Sequence, residues 1–364
     1  MFAKLTSFFV VYILALINFI FILSPFSILL IFDNKIVNKN LISIFYLLIF
    51  ISSFLMLILL IINYLFNSTV KKYKKAYINC SKNKERFGKL LALFNKEKHM
   101  FNISNVCLLI QNTETVNAYA VGGFRENCIV ITTGIMELCK KNSKDETEYY
   151  ELLSGIIGHE LSHIINKDFF PSLLVITNNK VNKVISFIVF MILNVLSRIV
   201  SFIPVIGLTI SNLFVEMHSF MKFFMNFFYS YIFIPVYRFI QLQVSKSIEY
   251  RADTQSAKYC GGDTMSKTLS LLGNNGFFSI FSTHPKTMSR IKKVSLIKQS
   301  NDYIRPTRFA NLSILLSFLL LLYFVIVSYR LVDFKYFYTY FYTLYDSLRH
   351  VYQLIRQQLF MINN

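Results

Sequence analysis

The chain has 364 residues, 54% of them hydrophobic, and its 38 Lys and Arg against 19 Asp and Glu give a formal net charge of +19. Five cysteines, an odd number without a short paired spacing, argue against both a disulfide framework and a cysteine-type zinc site. The charge does not indicate nucleic acid, because much of it directly follows an apolar block and no nucleic-acid motif accompanies it. The hydrophobic residues come in long blocks, which is typical of an integral membrane protein.

Two apolar blocks open the chain, at residues 5–32 and 41–66. Each exceeds the ~20 residues that a helix needs to cross a bilayer, so we predict a membrane hairpin of two helices over residues 1–70. The first block is too long for a signal-peptide core and lacks a convincing cleavage site, so we expect it to be retained. The basic segment that starts at Lys71 marks the cytoplasmic side and favours anionic lipid.

The soluble part is predicted to begin with a basic helix over residues 71–98. Three short segments rich in β-branched residues follow, at 103–110, 115–121 and 127–133, with a turn between the last two. They predict a small sheet that contains a hairpin.

A helix with two histidines comes next. Ser143 and Glu146 resemble a capping box, after which apolar residues recur at helical spacing. In this helix His159 and His163 lie four positions apart, so both imidazoles can be directed at one metal ion. Glu160 lies beside them, where it can take a proton from water that a metal has acidified. This His-Glu-x-x-His pattern is typical of zinc metalloproteases.

The same helix contains Gly155 and Gly158, and each disfavours a helix by about 1 kcal/mol relative to alanine. A physical reason for glycine here is the close approach of a neighbouring element. We therefore expect another part of the chain to pack tightly on this face.

A catalytic zinc site needs a third protein ligand and an open fourth position. The metzincin pattern needs a histidine at position 169, which holds Phe169, so it is excluded. A thermolysin-like glutamate about twenty residues downstream is absent too, because residues 180–186 contain no acid. The downstream candidates are Glu216 and Glu249. We favour Glu249, because Asp253 follows it by one helical turn and can hold a ligand histidine through its second nitrogen.

Two weaker apolar segments, residues 184–206 and 220–240, separate the histidines from Glu249. To share one metal ion, the three ligands must lie on the same side of the bilayer, so the number of crossings between them is even. Both segments span, or neither does. A clean apolar block at residues 309–327 predicts a further membrane helix, and the aromatic tail after it suits the headgroup region.

The motifs GHELSHIINKD, EYRAD and THPKTMSRI, with NAYAVGG and IVITTGIMEL upstream, resemble those of the HtpX-type membrane zinc metalloproteases. Relatives of that family are the soluble periplasmic BepA-like enzymes and the CAAX prenyl-proteases. The resemblance covers residues 71–298 and keeps the family's motif order. It implies an α+β zincin-like (gluzincin) catalytic domain attached to a helical transmembrane region. It also implies one zinc ion per chain, bound by His159, His163 and Glu249, with Glu160 as the general base and acid.

The resemblance implies further roles around the metal. Asp253 and Asp168 are candidates to support the metal ligands. His284 and Arg290 are candidates to polarise the scissile carbonyl or to stabilise its oxyanion. The NAYA segment matches the family's edge strand and is expected to bind an extended substrate by strand addition. Its residues are Asn117, Ala118, Tyr119 and Ala120.

The predicted organisation therefore has five parts. They are the membrane hairpin (1–70), the first part of the protease domain with the histidine pair (71–183), an inserted segment predicted to form two membrane helices (184–242), the second part of the protease domain with Glu249 (243–305), and a C-terminal membrane helix with its tail (306–364). The last part is an extension relative to the HtpX pattern.

These features predict an integral membrane zinc metalloendopeptidase that hydrolyses membrane or membrane-associated proteins. The resemblance implies quality control of misfolded membrane proteins in a bacterial inner membrane, with the catalytic domain facing the cytoplasm. A CAAX-type prenyl-protein protease stays open as an alternative, although that branch normally has seven helices. So does a catalytically silent membrane scaffold, against which the intact Glu160 argues. The expected partners are the lipid bilayer and protein substrates, not nucleic acid, and a homo-oligomer is neither required nor excluded.

Overall fold

The computed structural model describes most of the chain. Its described residues form the segments 39–202, 207–227, 230–231, 234–273, 287–300, 302–306 and 310–332, with isolated residues between positions 10 and 14 and between 334 and 353. The predicted first membrane helix, residues 5–32, and the aromatic tail lie almost wholly outside the described residues.

The architecture is α+β. The helices are α1 (Lys39–Tyr64), α2 (Ser68–Ala76), α3 (Lys84–Met100), α4 (Thr133–Lys141), α5 (Glu146–Asn166), α6 (Phe170–Ser201), α7 (Gly207–Phe227), α8 (Ile234–Cys260), α9 (Gly262–Gly273), α10 (Thr287–Val294) and α11 (Ala310–Leu331). The strands are β1 (Ile78–Asn79), β2 (Val106–Gln111), β3 (Ala118–Gly122) and β4 (Asn127–Thr132).

The four strands form one sheet in the order β1-β2-β4-β3. β2 and β4 are parallel, whereas β1 pairs antiparallel with β2 and β3 pairs antiparallel with β4. The predicted hairpin is confirmed, and β3 lies at an edge of the sheet. Successive residues point to opposite faces. Leu108 and Ile129 belong to the core that α3 and α5 cover, while Leu109 and Val130 pack under α2.

The single basic helix predicted over residues 71–98 is wrong. The chain forms α2 and α3, separated by β1 and by the short 3-10 helix Cys80–Lys82. Asn79 caps that short helix, because its side chain accepts a hydrogen bond from the backbone N–H of Ser81 at 3.0 Å. β1 gains its strand hydrogen bonds from β2, which comes later in the chain, so local helical pattern could not reveal the break.

The N-cap of α5 lies two residues beyond the predicted one, Ser143. Asp145 caps the helix by accepting a hydrogen bond from the backbone N–H of Glu148 at 2.8 Å. The Glu148 side chain in turn accepts from the backbone N–H of Lys144 at 2.8 Å. The predicted pair of Ser143 and Glu146 is therefore wrong, and the hydroxyl of Ser143 donates to the end of α4. Both pairs have capping-box spacing, so the sequence pattern did not separate them.

Two glycines let α5 approach its neighbours closely. A Cβ atom at Gly155 would lie 2.5 Å from Oγ1 of Thr268 in α9, and one at Gly158 would lie 2.7 Å from Oγ of Ser256 in α8. The Ser256 hydroxyl also donates to the carbonyl of Gly155 at 2.9 Å. The close approach predicted from these glycines is confirmed, and it seats α8 directly on the histidine helix.

We expect Gly155→Ala to destabilise the protein, although alanine is the better helix former. Its Cβ would collide with the fully buried Thr268, and overpacking of this kind costs about 1–3 kcal/mol of the free energy of unfolding. Gly88→Ala in α3 is the matched control, because nothing lies within 4 Å of its Cβ position. That control is expected to stabilise by about 0.5–1 kcal/mol. Unfolding followed by circular dichroism measures both, and effects of the same sign would contradict the packing argument.

Among the described residues, three helices are long and apolar enough to cross a membrane, at Tyr46–Tyr64, Phe170–Ser201 and Asn311–Leu331. The predicted apolar helices at α1 and α11 are thus confirmed. The three helices share one core, in which Leu60, Phe170 and Leu321 are buried. Helix α11, which contains none of the protease motifs, therefore packs at the junction of α5 and α6.

The inserted hydrophobic region begins earlier than predicted. α6 begins at Phe170, not at Val184, because Lys167 ends α5 in a left-handed conformation (φ 57°) and Pro171 then occupies the first turn of a new helix. The second predicted segment, residues 220–240, is divided between α7 and α8. α7 packs along α6, and its crossing of the bilayer stays a prediction.

Glu97 in α3 makes the stability of the domain depend on pH. Its side chain is fully buried, and burial raises its pKa well above the usual value, against the opposing effects of Ser154 and Lys96. A glutamate in the unfolded chain ionises near pH ~4.3. Above that pH the unfolded chain has lost a proton that the folded protein still binds, so the free energy of unfolding falls as the pH rises.

Glu97→Gln, which cannot ionise, is therefore expected to be more stable than the wild type at about pH 8 and to differ little near pH ~4. Glu151→Gln, at an exposed position within α5 and beyond its first turn, is the control and should be neutral at both values. Thermal unfolding across this pH range measures the difference. A gain of the same size at both pH values would show that ionisation of Glu97 is not its cause.

Candidate metal centre

α5 presents two imidazoles at one point. His159 and His163 are separated by one helical turn, and their Nε2 atoms lie 3.0 Å apart. Both side chains are mostly buried, with 12% and 15% of their surface exposed. The pair is therefore largely shielded from bulk solvent but still reachable.

α8 brings a carboxylate to the same point. Oε2 of Glu249 lies 3.5 Å from Nε2 of His159, and Oε1 lies 3.7 Å from Nε2 of His163. The donor atoms of the three residues all lie within 4.8 Å of one another. Glu216, the other downstream candidate, is exposed on α7 and is not part of this cluster. Two imidazoles and one carboxylate are a donor set that catalytic zinc takes, so these residues fit a zinc ion.

An aspartate lies behind each imidazole. Oδ1 of Asp253 is 3.0 Å from Nδ1 of His159, and Oδ2 of Asp168 is 2.9 Å from Nδ1 of His163. Because each Nδ1 faces a carboxylate, each Nε2 is the nitrogen that faces the centre of the cluster. Histidines that bind metals commonly have this arrangement, which fixes the tautomer and the ring orientation.

Arg290 of α10 lies against the carboxylates of α8. Its Nε and Nη2 donate to the two carboxylate oxygens of Asp253, each at 2.7 Å, and Nη2 lies 3.2 Å from Oε2 of Glu249. The sequence predicted that Arg290 would act on the scissile carbonyl. In the structure its guanidinium is engaged by two carboxylates, and its role at the scissile carbonyl stays a prediction.

The charged groups of this cluster shift one another's pKa values. Burial alone would raise the pKa of Asp253, but the hydrogen bonds from Arg290 and the nearby imidazole of His159 outweigh it and lower that pKa. Burial alone would lower the pKa of His159, but Asp253 and Glu249 outweigh it and raise the pKa to about 10. A metal ion that binds here must therefore displace a proton from His159.

Arg251 is a site residue that sequence reasoning missed. Its Nη2 donates to Oδ2 of Asp168, the same oxygen that faces His163. Arg251 stands two positions after Glu249, and a helix directs side chains at that spacing to different sides. No helical spacing connects it with the histidines, so its charge and its place in the EYRAD motif were the available signals.

Glu160 lies between the two histidines in α5 and is buried. It is not one of the three clustered donors. Its carboxyl group is therefore available for proton transfer while the other three hold a cation. His284 lies outside the described residues, so its role at the scissile carbonyl stays a prediction.

The edge strand β3 lies beside the histidine helix, since α5 packs against it. Ala118 and Ala120 turn toward the core that α5 covers, whereas Tyr119 turns to the opposite face and packs on α2. Asn117 is exposed just before the strand. The part of this segment suited to strand addition is thus its backbone at the sheet edge, and the Tyr119 side chain is directed away from α5.

The comparisons with known proteins agree on one family. The family described as Peptidase family M48 matches residues 84–298. The protease HtpX of Buchnera aphidicola subsp. Schizaphis graminum (strain Sg) is 28% identical over 211 residues, which is 52% of this chain and 67% of that protein. The protease HtpX of Wigglesworthia glossinidia brevipalpis is 24% identical over 210 residues, 52% of this chain and 66% of that protein. A protease HtpX homolog of Methanocaldococcus jannaschii is 42% identical over 66 residues, 18% of this chain and 20% of that protein.

A crystal structure of S. mikatae Ste24p covers 56% of this chain and 49% of that chain, with a TM-score of 0.31 and 17% sequence identity. A structural similarity this low does not establish a shared function or mechanism. The chain spans 67% and 66% of the length of the two bacterial relatives and 20% of the archaeal one. The matched region contains the sheet strands β2 to β4 and helices α3 to α10, and it leaves out α1 and α11.

Proposed function

The chain belongs to peptidase family M48, and we propose that it is an integral membrane zinc metalloendopeptidase that cleaves membrane or membrane-associated proteins. The observation that carries this proposal is the convergence of His159, His163 and Glu249, donors from two helices that are far apart in the chain. The three apolar helices support the membrane location.

One zinc ion would be held by His159, His163 and Glu249. When bound, zinc supplies a Lewis acid that activates water and polarises a carbonyl. The carboxylate of Glu160 accepts a proton from the attacking water and later donates it to the leaving amine. Glu160 is therefore the general base and then the general acid. The aspartates behind the two imidazoles keep each ring directed at the cation.

The substrate would bind as an extended strand along the backbone of residues 117–120, by strand addition to β3. Two features support this: β3 is at the edge of the sheet, and α5 lies against it. His284 is proposed to polarise the scissile carbonyl or to stabilise its oxyanion.

We place the site in a zincin-like (gluzincin) domain on the cytoplasmic face of a bacterial inner membrane. The basic segment over residues 71–75 supports this orientation, because it directly follows α1 and juxtamembrane lysines mark the cytoplasmic side. Residues 5–32 and the pair α6 and α7 are proposed as further spans. A site at the junction of α5 and α6 lies close to the bilayer, which suits quality control of misfolded membrane proteins.

The purified chain in detergent tests this proposal. We expect about one zinc ion per chain, together with cleavage of casein that stops when a chelator removes the metal and returns when zinc is added. Zinc binding without any proteolysis would favour the scaffold. Cleavage confined to prenylated peptides would favour the prenyl-protein protease, and either result would overturn the proposed endopeptidase.

A further inference from the structure

The two aspartates behind the imidazoles are held very differently. Asp253 lies within α8, one turn after Glu249, and Arg290 binds both of its carboxylate oxygens at 2.7 Å. Its position is thus set by a rigid helix and by a guanidinium with two hydrogen bonds.

Asp168 has no such helical support. It follows Lys167, the left-handed residue that ends α5, and it precedes the start of α6. Its backbone N–H donates to the carbonyl of His163 at 3.0 Å, but its side chain must be oriented by other groups. The described contacts of that side chain are with His163 and Arg251, which meet the same oxygen, Oδ2.

Arg251 forms an ion pair with Asp168 in a mostly buried position, where 23% of its side chain is exposed. The Nε atom of Arg251 is buried and has no hydrogen-bond partner among the described residues. A buried cation held in this way would be costly without Asp168, so the two side chains depend on each other.

We propose that Arg251 is a positioning residue of the metal centre, which holds Asp168 against Nδ1 of His163 and so raises the affinity of the site for its metal. The described contact of Arg251 is with Asp168, and it acts on the site through that carboxylate. It joins the helix that carries Glu249 to the loop beside His163, so one side chain links the two halves of the donor set. This inference rests on the proposed metal site.

The test measures zinc affinity by competition with a chromogenic chelator, and the absorption spectrum of the Co²⁺ form, for the full chain in detergent. Loss of a supporting partner behind a ligand histidine weakens metal binding by about 10–100-fold, and we expect that loss for Arg251→Gln. Arg251→Lys keeps a positive charge and should restore part of the affinity. Lys258→Gln, at an exposed position of the same helix, is the matched control and should bind zinc like the wild type.

A double-mutant cycle with Asp168→Asn separates positioning from a general loss of structure. If Arg251 acts through Asp168, then Arg251→Gln causes little further loss of zinc affinity in the Asp168→Asn background. Fully additive losses, or an unchanged affinity for Arg251→Gln alone, would overturn the inference while the proposed function stands. A wild-type chain that binds no zinc would instead overturn the proposed function itself.

Discussion

Glu160→Gln should leave the protein folded and loaded with zinc but reduce kcat for peptide hydrolysis by about 10²–10⁴-fold, the range that general acid–base catalysis supplies. Glutamine has the shape of glutamate but cannot accept the proton of the attacking water. Glu160 is not one of the three clustered donors, so the metal content should not change. The measurement is zinc content by elemental analysis beside the rate of casein cleavage.

Glu151→Gln is the matched control, because Glu151 is exposed on the same helix. It should retain wild-type zinc content and wild-type turnover. Cleavage by Glu160→Gln at the wild-type rate would show that another group accepts the proton. Loss of zinc from Glu160→Gln would show that Glu160 is a ligand, contrary to the geometry of the cluster.

Glu249→Ala should lose its zinc. Changes in groups that merely support metal ligands cost about 10–100-fold in metal affinity, so removal of a ligand is expected to cost more than about 100-fold. The substitution also takes away one of the two carboxylates that face Arg290, while Asp253 keeps both of its hydrogen bonds to that guanidinium. Equilibrium dialysis against buffered zinc measures the effect.

Asp263→Ala removes an exposed acid from the neighbouring helix α9 and serves as the control for general loss of negative charge. It should bind zinc with unchanged affinity. Full zinc occupancy in Glu249→Ala would place the third ligand elsewhere in the chain. The same measurement on Glu216→Ala then shows whether that exposed residue of α7 is the ligand.

Much of the site was readable from the sequence because it depends on short spacings. His159 and His163 face one side of a helix whatever the rest of the chain does, since four residues make about one turn. Asp253 follows Glu249 at the same interval, and both belong to α8. Likewise α1 and α11 are long apolar runs, and length with composition suffices to identify such helices.

The errors lie where distant residues decide the local structure. β1 interrupts a run of basic residues because β2 supplies its pairing. The cap of α5 sits at Asp145 and not at Ser143, although both residues suit the same motif. α6 starts at Phe170, as a new helix directly after the left-handed Lys167 ends the histidine helix, whereas hydropathy alone marked the start of the purely apolar part.

Helical spacing thus identified the metal-binding pattern and its chemistry without any knowledge of the fold, since helix geometry relates nearby positions directly. Length and composition identified the apolar helices in the same way. Only the three-dimensional packing established that Arg251 donates a hydrogen bond to Asp168 and that Arg290 donates to Asp253. It alone showed that Thr268 packs closely against Gly155. Each of these contacts joins elements that are far apart in the chain. No periodicity relates such positions, so they come together only when the buried faces of α5, α8, α9 and α10 pack against one another.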